Sequence, residues 1–100
     1  MTQKRVVITG MGLVSPVGNT VNESWANIRA GNSGIDWITL FDADTVANRV
    51  AGEVKNLDLE GIFGKREMRR MDRAQMLALV AADEALKDAG IEVTEDNHYD

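Results

Sequence analysis

Val6-Val7-Ile8-Thr9-Gly10-Met11-Gly12-Leu13-Val14-Ser15-Pro16-Val17-Gly18-Asn19 is the stretch on which the reading of this chain turns. Its first three residues are a short β-branched run with charge before it and glycine after it. Such a run predicts a buried strand in a sheet covered on both faces. Three glycines and the sole proline of the chain then mark a loop with special backbone angles. Gly10-Met11-Gly12 after a strand invites a dinucleotide-binding reading, in which a third glycine starts a helix against the pyrophosphate. Here that third position is Ser15, followed by Pro16, and the next helix signal comes only at Thr20. The helix begins too late to meet a phosphate at Gly12, so the glycines are read as structural and no nucleotide cofactor is expected.

Working outward, Thr20-Val21-Asn22-Glu23 fits a capping box, a hydroxyl followed three residues on by a carboxylate. Val21, Trp25 and Ile28 recur at helical spacing and Gly31 closes the pattern. Residues 34–44 read as mixed loop. Valines at 46, 50 and 54, with Arg49 and Glu53 on the other parity, predict a strand with one polar face. After a turn, the longest element is expected from about Lys65 to Ala89, ending at Gly90. Its middle, residues 74–82, is apolar on almost every side and calls for neighbours all round.

The order β-α-β-α predicts an α/β protein with a largely parallel sheet. Two strands make too small a sheet of that kind, with both edges open. Residues 1–100 are therefore expected to be the opening segment of a larger domain, with an incomplete sheet, and to fold poorly in isolation.

Composition narrows the chemistry. Eleven Lys/Arg against sixteen Asp/Glu give a net charge of −5, which disfavours a chain held by nucleic-acid phosphates or by an anionic membrane. There is no cysteine, hence no thiolate metal site and no cysteine nucleophile in the span. No apolar run approaches the ~18 residues of a membrane span, and no secretory signal opens the chain, so a cytoplasmic protein is expected. The one histidine, His98, sits in an acidic tail and reads as a solvated loop residue. The paired carboxylates Asp83/Glu84 and Glu95/Asp96 read as exposed, and Met68, Met71 and Met76 as core filler. No catalytic or metal-binding residue is assigned.

Residues 65–73 stand out. Five cations, Lys65, Arg66, Arg69, Arg70 and Arg73, face only Glu67 and Asp72. On a continuous helix they fall within a ~140° arc, opposite Met68 and Met71. They would occupy the start of that helix, where the macrodipole disfavours cations by roughly 0.3–1 kcal/mol each. Two readings follow: a docking surface for an anionic partner, or a solvated face with pairs such as Arg69 to Asp72. No aromatic side chain is interleaved to stack on bases, so an acidic protein is the better partner than nucleic acid.

The opening stretch, then Gly31-Asn32-Ser33-Gly34-Ile35, Ala51-Gly52-Glu53-Val54, and Met71-Asp72-Arg73 with Ala81-Ala82 through Ala89-Gly90, together resemble the β-ketoacyl-(acyl-carrier-protein) synthases. The resemblance is nearest to type II of bacterial fatty-acid synthesis and covers essentially the whole chain. It implies a thiolase-like fold, a homodimer, and an acyltransferase that joins malonyl-carrier protein to an acyl group by decarboxylative condensation. It also implies a cysteine nucleophile at a helix start and two histidines, none of which these residues contain. Basic residues at the positions of Arg66, Arg69 and Arg70, with Lys65 adjacent, would contact the acidic carrier protein. Ala74 departs from the pattern, where an aromatic residue often follows Met-Asp-Arg. That departure leaves fatty-acid and polyketide subgroups both open, beside a free-standing carrier-binding module.

Overall fold

A computed structural model describes residues 3–97 of the chain. Its elements run α1 (Val21–Ala30), β1 (Ile35–Trp37), β2 (Val50–Gly52), α2 (Leu59–Met68) and α3 (Arg73–Ala89).

Helix α1 follows its sequence signals closely. The Thr20 hydroxyl accepts from the Glu23 amide at 3.1 Å, and Gly31 ends the helix in the left-handed region at φ 75°. The return half of the expected capping box lands one residue early. Glu23 Oε1 accepts from the Asn19 amide at 3.3 Å.

The sheet differs from expectation. β1 and β2 pair antiparallel, with Ile35 opposite Gly52, Asp36 opposite Ala51 and Trp37 opposite Val50. β1 comes from the stretch read as loop, and β2 is shorter than the strand expected over 46–54. The strand expected at Val6–Ile8 has no ladder partner among the described residues, and these side chains are 93, 71 and 82% exposed. A strand exists only through a neighbour's hydrogen bonds, and neither open edge of the two-stranded sheet pairs with residues 6–8.

What holds the opening stretch is α3. A Cβ on Gly12 would lie 1.7 Å from the Ala81 carbonyl oxygen, and one on Gly10 would lie 2.3 Å from that of Ala85. Ala81, Ala85 and Ala89 form a small-residue stripe along α3. The two glycines therefore serve close backbone approach to a helix rather than a tight turn.

The long helix expected from Lys65 is two helices. Gly64, at φ 80° and ψ 156°, kinks α2, and the chain leaves helical geometry before Asp72. Asp72 then caps α3: its Oδ1 accepts from the Gln75 amide at 2.8 Å, and Gln75 Oε1 accepts from the Asp72 amide at 3.1 Å.

The core is thin. Among the described residues only Leu59 and Met76 are buried apolar side chains. The radius of gyration is 17.4 Å, against about 13 Å for a compact domain of this length. Large apolar groups such as Trp25, Ile28, Trp37 and Phe41 stay more than half exposed. Burial of the apolar middle of α3 is correspondingly one-sided: Met76 is covered, whereas Leu79 is 48% exposed. Among the described residues no helix is long and apolar enough to cross a membrane.

Candidate functional site

The basic residues gather where the chain turns from α2 into α3. Lys65 and Arg66 occupy the last turn of α2, Arg69 is its C-cap, and Arg70 lies in the turn that follows. This overturns two expectations from the continuous-helix reading. The cations lie on a bent ridge, not on a single helical arc. They also precede α3 instead of occupying its first turns, with Arg69 and Arg70 still within four residues of its positive N-terminal end. The helical piece after Gly64 is a single turn, too short for a sizeable dipole of its own.

Arg73 leaves the group. As the first residue of α3 it is half-buried, and its Nη2 donates to the Val54 carbonyl at 3.1 Å. It ties the start of α3 to the end of the hairpin. Arg66, Arg69 and Arg70 remain exposed, with no ion pair among the described residues, while Lys65 Nζ lies 3.8 Å from Glu60 Oε1. The Arg69–Asp72 pair that a solvated helix face would supply does not form. The Asp72 carboxylate is engaged in capping α3.

Of the α3 carboxylates read as an exposed face, Asp83 and Asp88 are exposed, whereas Glu84 is half-buried. Glu84 Oε1 accepts from the Leu13 amide at 2.9 Å, and Oε2 accepts from the Val21 amide at 3.1 Å. One side chain thus joins the glycine-rich stretch to the first turn of α1. Asp88 Oδ2 accepts from the Met11 amide at 3.0 Å, and Asp83 pairs with Lys87 at 2.7 Å. Ser24 is fully buried, hydrogen-bonded to Ser15 Oγ at 2.8 Å and donating to the Gly18 carbonyl at 3.2 Å. Asn19 Nδ2 donates to the carbonyls of Lys55 and Asn56 at 2.9 and 3.2 Å.

Glu53, expected on a polar strand face, is buried at 8% exposure. Its Oε1 accepts from the Thr39 amide (2.9 Å) and hydroxyl (3.0 Å), and its Oε2 from the Leu40 amide (3.0 Å). The Thr39 amide is the main cause holding its carboxyl below the ordinary glutamate range. Burial opposes this, and the Leu40 amide, the Thr39 hydroxyl and the Lys55 charge reinforce it. His98 lies outside the described residues.

The chain matches the family model described as "Beta-ketoacyl synthase, N-terminal domain" over residues 3–99. This chain belongs to the beta-ketoacyl synthase family. The 3-oxoacyl-(acyl-carrier-protein) synthase 2 of Staphylococcus aureus (strain COL) is 50% identical to it over 92 residues, covering 92% of this chain and 22% of the relative. The synthase of the same name from Vibrio cholerae is 46% identical over 97 residues, covering 97% of this chain and 23% of the relative. Among solved structures, "The ishigamide ketosynthase/chain length factor" superposes with a TM-score of 0.79 at 38% identity, over 96% of this chain and 23% of that one. The ketoacyl-synthase segment thus has the α/β ketosynthase fold expected from its sequence, and spans under a quarter of the relatives it matches.

Proposed function

We propose that these residues are the scaffold and carrier-docking portion of a type 2 β-ketoacyl synthase of fatty-acid synthesis. The whole enzyme would act in the cytoplasm as a homodimer. It would transfer an acyl group from a thiol of its own to the carbanion left when a malonyl group on the carrier loses carbon dioxide. That chemistry needs no cofactor, and under this reading the present residues contribute no catalytic group, since they contain no cysteine. Their part is to recognise the acidic acyl carrier protein through Lys65, Arg66, Arg69 and Arg70.

The observation that carries this reading is that Arg66, Arg69 and Arg70 have no ion pair among the described residues, in a chain of net charge −5. Sixteen carboxylates are available in the sequence, yet the arginines at the α2–α3 corner are left facing solvent. A ridge of like charge beside no acceptor is electrostatically unsatisfied, and an acidic partner relieves it. The higher identity to synthase 2 relatives, 50 and 46% against 38% for the ketosynthase/chain length factor, favours the fatty-acid type over a polyketide-type segment.

The test is Arg66→Glu with Arg70→Glu in the full-length protein. Carrier-protein affinity should fall by about ten- to a hundredfold, and most at low salt. Unchanged affinity would make the ridge merely solvated. A native polypeptide of only about 11 kDa on a denaturing gel would instead support a free-standing binding module.

A further inference from the structure

Between Lys65 and Leu79 every residue but Asp72 belongs to the strongest helix formers, namely Ala, Leu, Arg, Met, Lys, Gln and Glu. Propensity alone favours one unbroken helix through the α2–α3 corner. The chain nevertheless breaks, and it breaks at Asp72. Helix-like hydrogen bonds run up to Met71: the Arg69 amide donates to the Lys65 carbonyl at 3.3 Å, the Arg70 amide to that of Glu67 at 3.0 Å, and the Met71 amide to that of Met68 at 3.4 Å. They resume where the Met76 amide donates to the Asp72 carbonyl at 3.2 Å. Asp72 between them is extended, at φ −82° and ψ 170°, with its carboxylate on the Gln75 amide and its own amide on Gln75 Oε1. One short, capping side chain thus turns a run of helix formers into two helices.

Resting on the docking reading above, we propose that Asp72 is the positioning residue of the arginine ridge, holding α2 and α3 apart so that Arg66, Arg69 and Arg70 keep a fixed place on the scaffold. It acts through the arginines and does not itself meet the partner. Two consequences of the break serve that role. The first is that α3 starts at Arg73, whose Nη2 reaches the Val54 carbonyl at 3.1 Å and anchors the corner to the hairpin. The second is that the nearest carboxylate to the ridge is withheld from it. In an unbroken helix Asp72 would stand one turn from Arg69, where such residues pair; here no ion pair joins them among the described residues. A ridge fixed before binding loses less freedom on association. A role as mere charge would have the opposite sign, because a carboxylate beside cations weakens their attraction for an acidic partner.

The test compares Asp72→Asn, Asp72→Gly, Asp72→Ala and Asp72→Gln in the full-length protein. All four lose the same charge. Asn and Gly suit a helix start, whereas Ala and Gln are strong helix formers outside the preferred caps. Amide hydrogen exchange over residues 69–75 and acyl carrier protein affinity are read on the same samples, well below melting. In an unbroken helix the amides of Arg73, Ala74 and Gln75 take the carbonyls of Arg69, Arg70 and Met71 as acceptors. Asp72→Ala and Asp72→Gln should therefore slow exchange at these amides and weaken the carrier about three- to tenfold. Asp72→Asn and Asp72→Gly should keep the parent's exchange and bind within about threefold of it. Affinity raised alike in all four would reduce Asp72 to a charge and overturn the proposal, as would exchange that is not slowed by Ala or Gln. Asp72→Gln serves where Asp72→Ala does not fold, and altered exchange in Asp72→Asn alone would also overturn it. Should Arg66→Gln/Arg69→Gln/Arg70→Gln leave carrier affinity unchanged, the docking reading fails, while exchange still decides whether Asp72 sets the corner.

Discussion

The glycine-rich stretch with α1 and the arginine ridge at the α2–α3 corner are held in opposite ways. Between residues 11 and 24 polar groups are tied into the scaffold: Met11 to Asp88, Leu13 and Val21 to Glu84, Ser24 to Ser15 and Gly18. Between residues 66 and 70 the arginine side chains have no ion pair among the described residues, and only backbone hydrogen bonds hold Arg69 and Arg70. The contrast teaches how a segment with so little apolar core keeps its shape. Side-chain acceptors on α3 take the place of ladder and core in one region, whereas the arginine side chains of the other stay exposed with no ion pair among the described residues.

The comparison can be broken first at its tightest contact. Gly12→Ala places a methyl group 1.7 Å from the Ala81 carbonyl oxygen, against backbone that cannot swing aside. It should cost about 3 kcal/mol or more and appear as loss of soluble full-length protein. A variant with normal expression and melting temperature would remove the close approach from the account. Glu84→Ala comes next, leaving the amides of Leu13 and Val21 without an acceptor. A cost of about 1–3 kcal/mol is expected, read by chemical denaturation.

Glu53 sharpens the contrast through pH. Its carboxyl is held below the ordinary glutamate value, chiefly by the Thr39 amide. A lowered folded-state pKa gives stability that is complete above the unfolded value, about 4.3, and lost as pH falls through the folded one. Glu53→Gln offers one acceptor oxygen where two are used. It should lower the melting temperature at neutral pH and flatten its decline below about pH 4.3. A variant whose acid profile overlays the parent's would refute this. At the small end, replacing Arg66, Arg69 and Arg70 by Gln should change stability by no more than about 0.5 kcal/mol, as for any exposed, unpaired group.

The same contrast separates what the sequence made readable from what it hid. Helix α1 and the end of α3 at Gly90 were readable because their signals are local. A hydroxyl cap, an acidic residue three positions on and a glycine stop each act within one turn. The start of α3 was hidden in plain text. Asp72 with Gln75 is a capping box, but in a run of cations its carboxylate read as an ion-pair partner for Arg69. Moving the helix start to Arg73 rearranged the ridge and released Arg73 to the Val54 carbonyl. Strand pairing was hidden because it is non-local. Nothing in residues 35–37 alternates strongly enough to mark β1, and Val6–Ile8 carries strand character without a neighbour among the described residues. Glu53 and Glu84 were read outward for the same reason: the amides that draw them in lie 14, 71 and 63 residues away. Lys65, Arg66, Arg69 and Arg70 are exposed, whereas their bent arrangement depends on the corner that the sequence concealed.

The most direct measurement is a titration of acyl carrier protein onto the full-length Arg66→Gln/Arg69→Gln/Arg70→Gln protein across a range of salt, with melting recorded on the same samples. A free ridge gives affinity that falls about tenfold or more at low salt, a flatter salt dependence, and a melting temperature within about 2 °C of the parent. Unchanged affinity, or weakened binding accompanied by a large fall in melting temperature, would contradict the division between a tied scaffold and a free docking face.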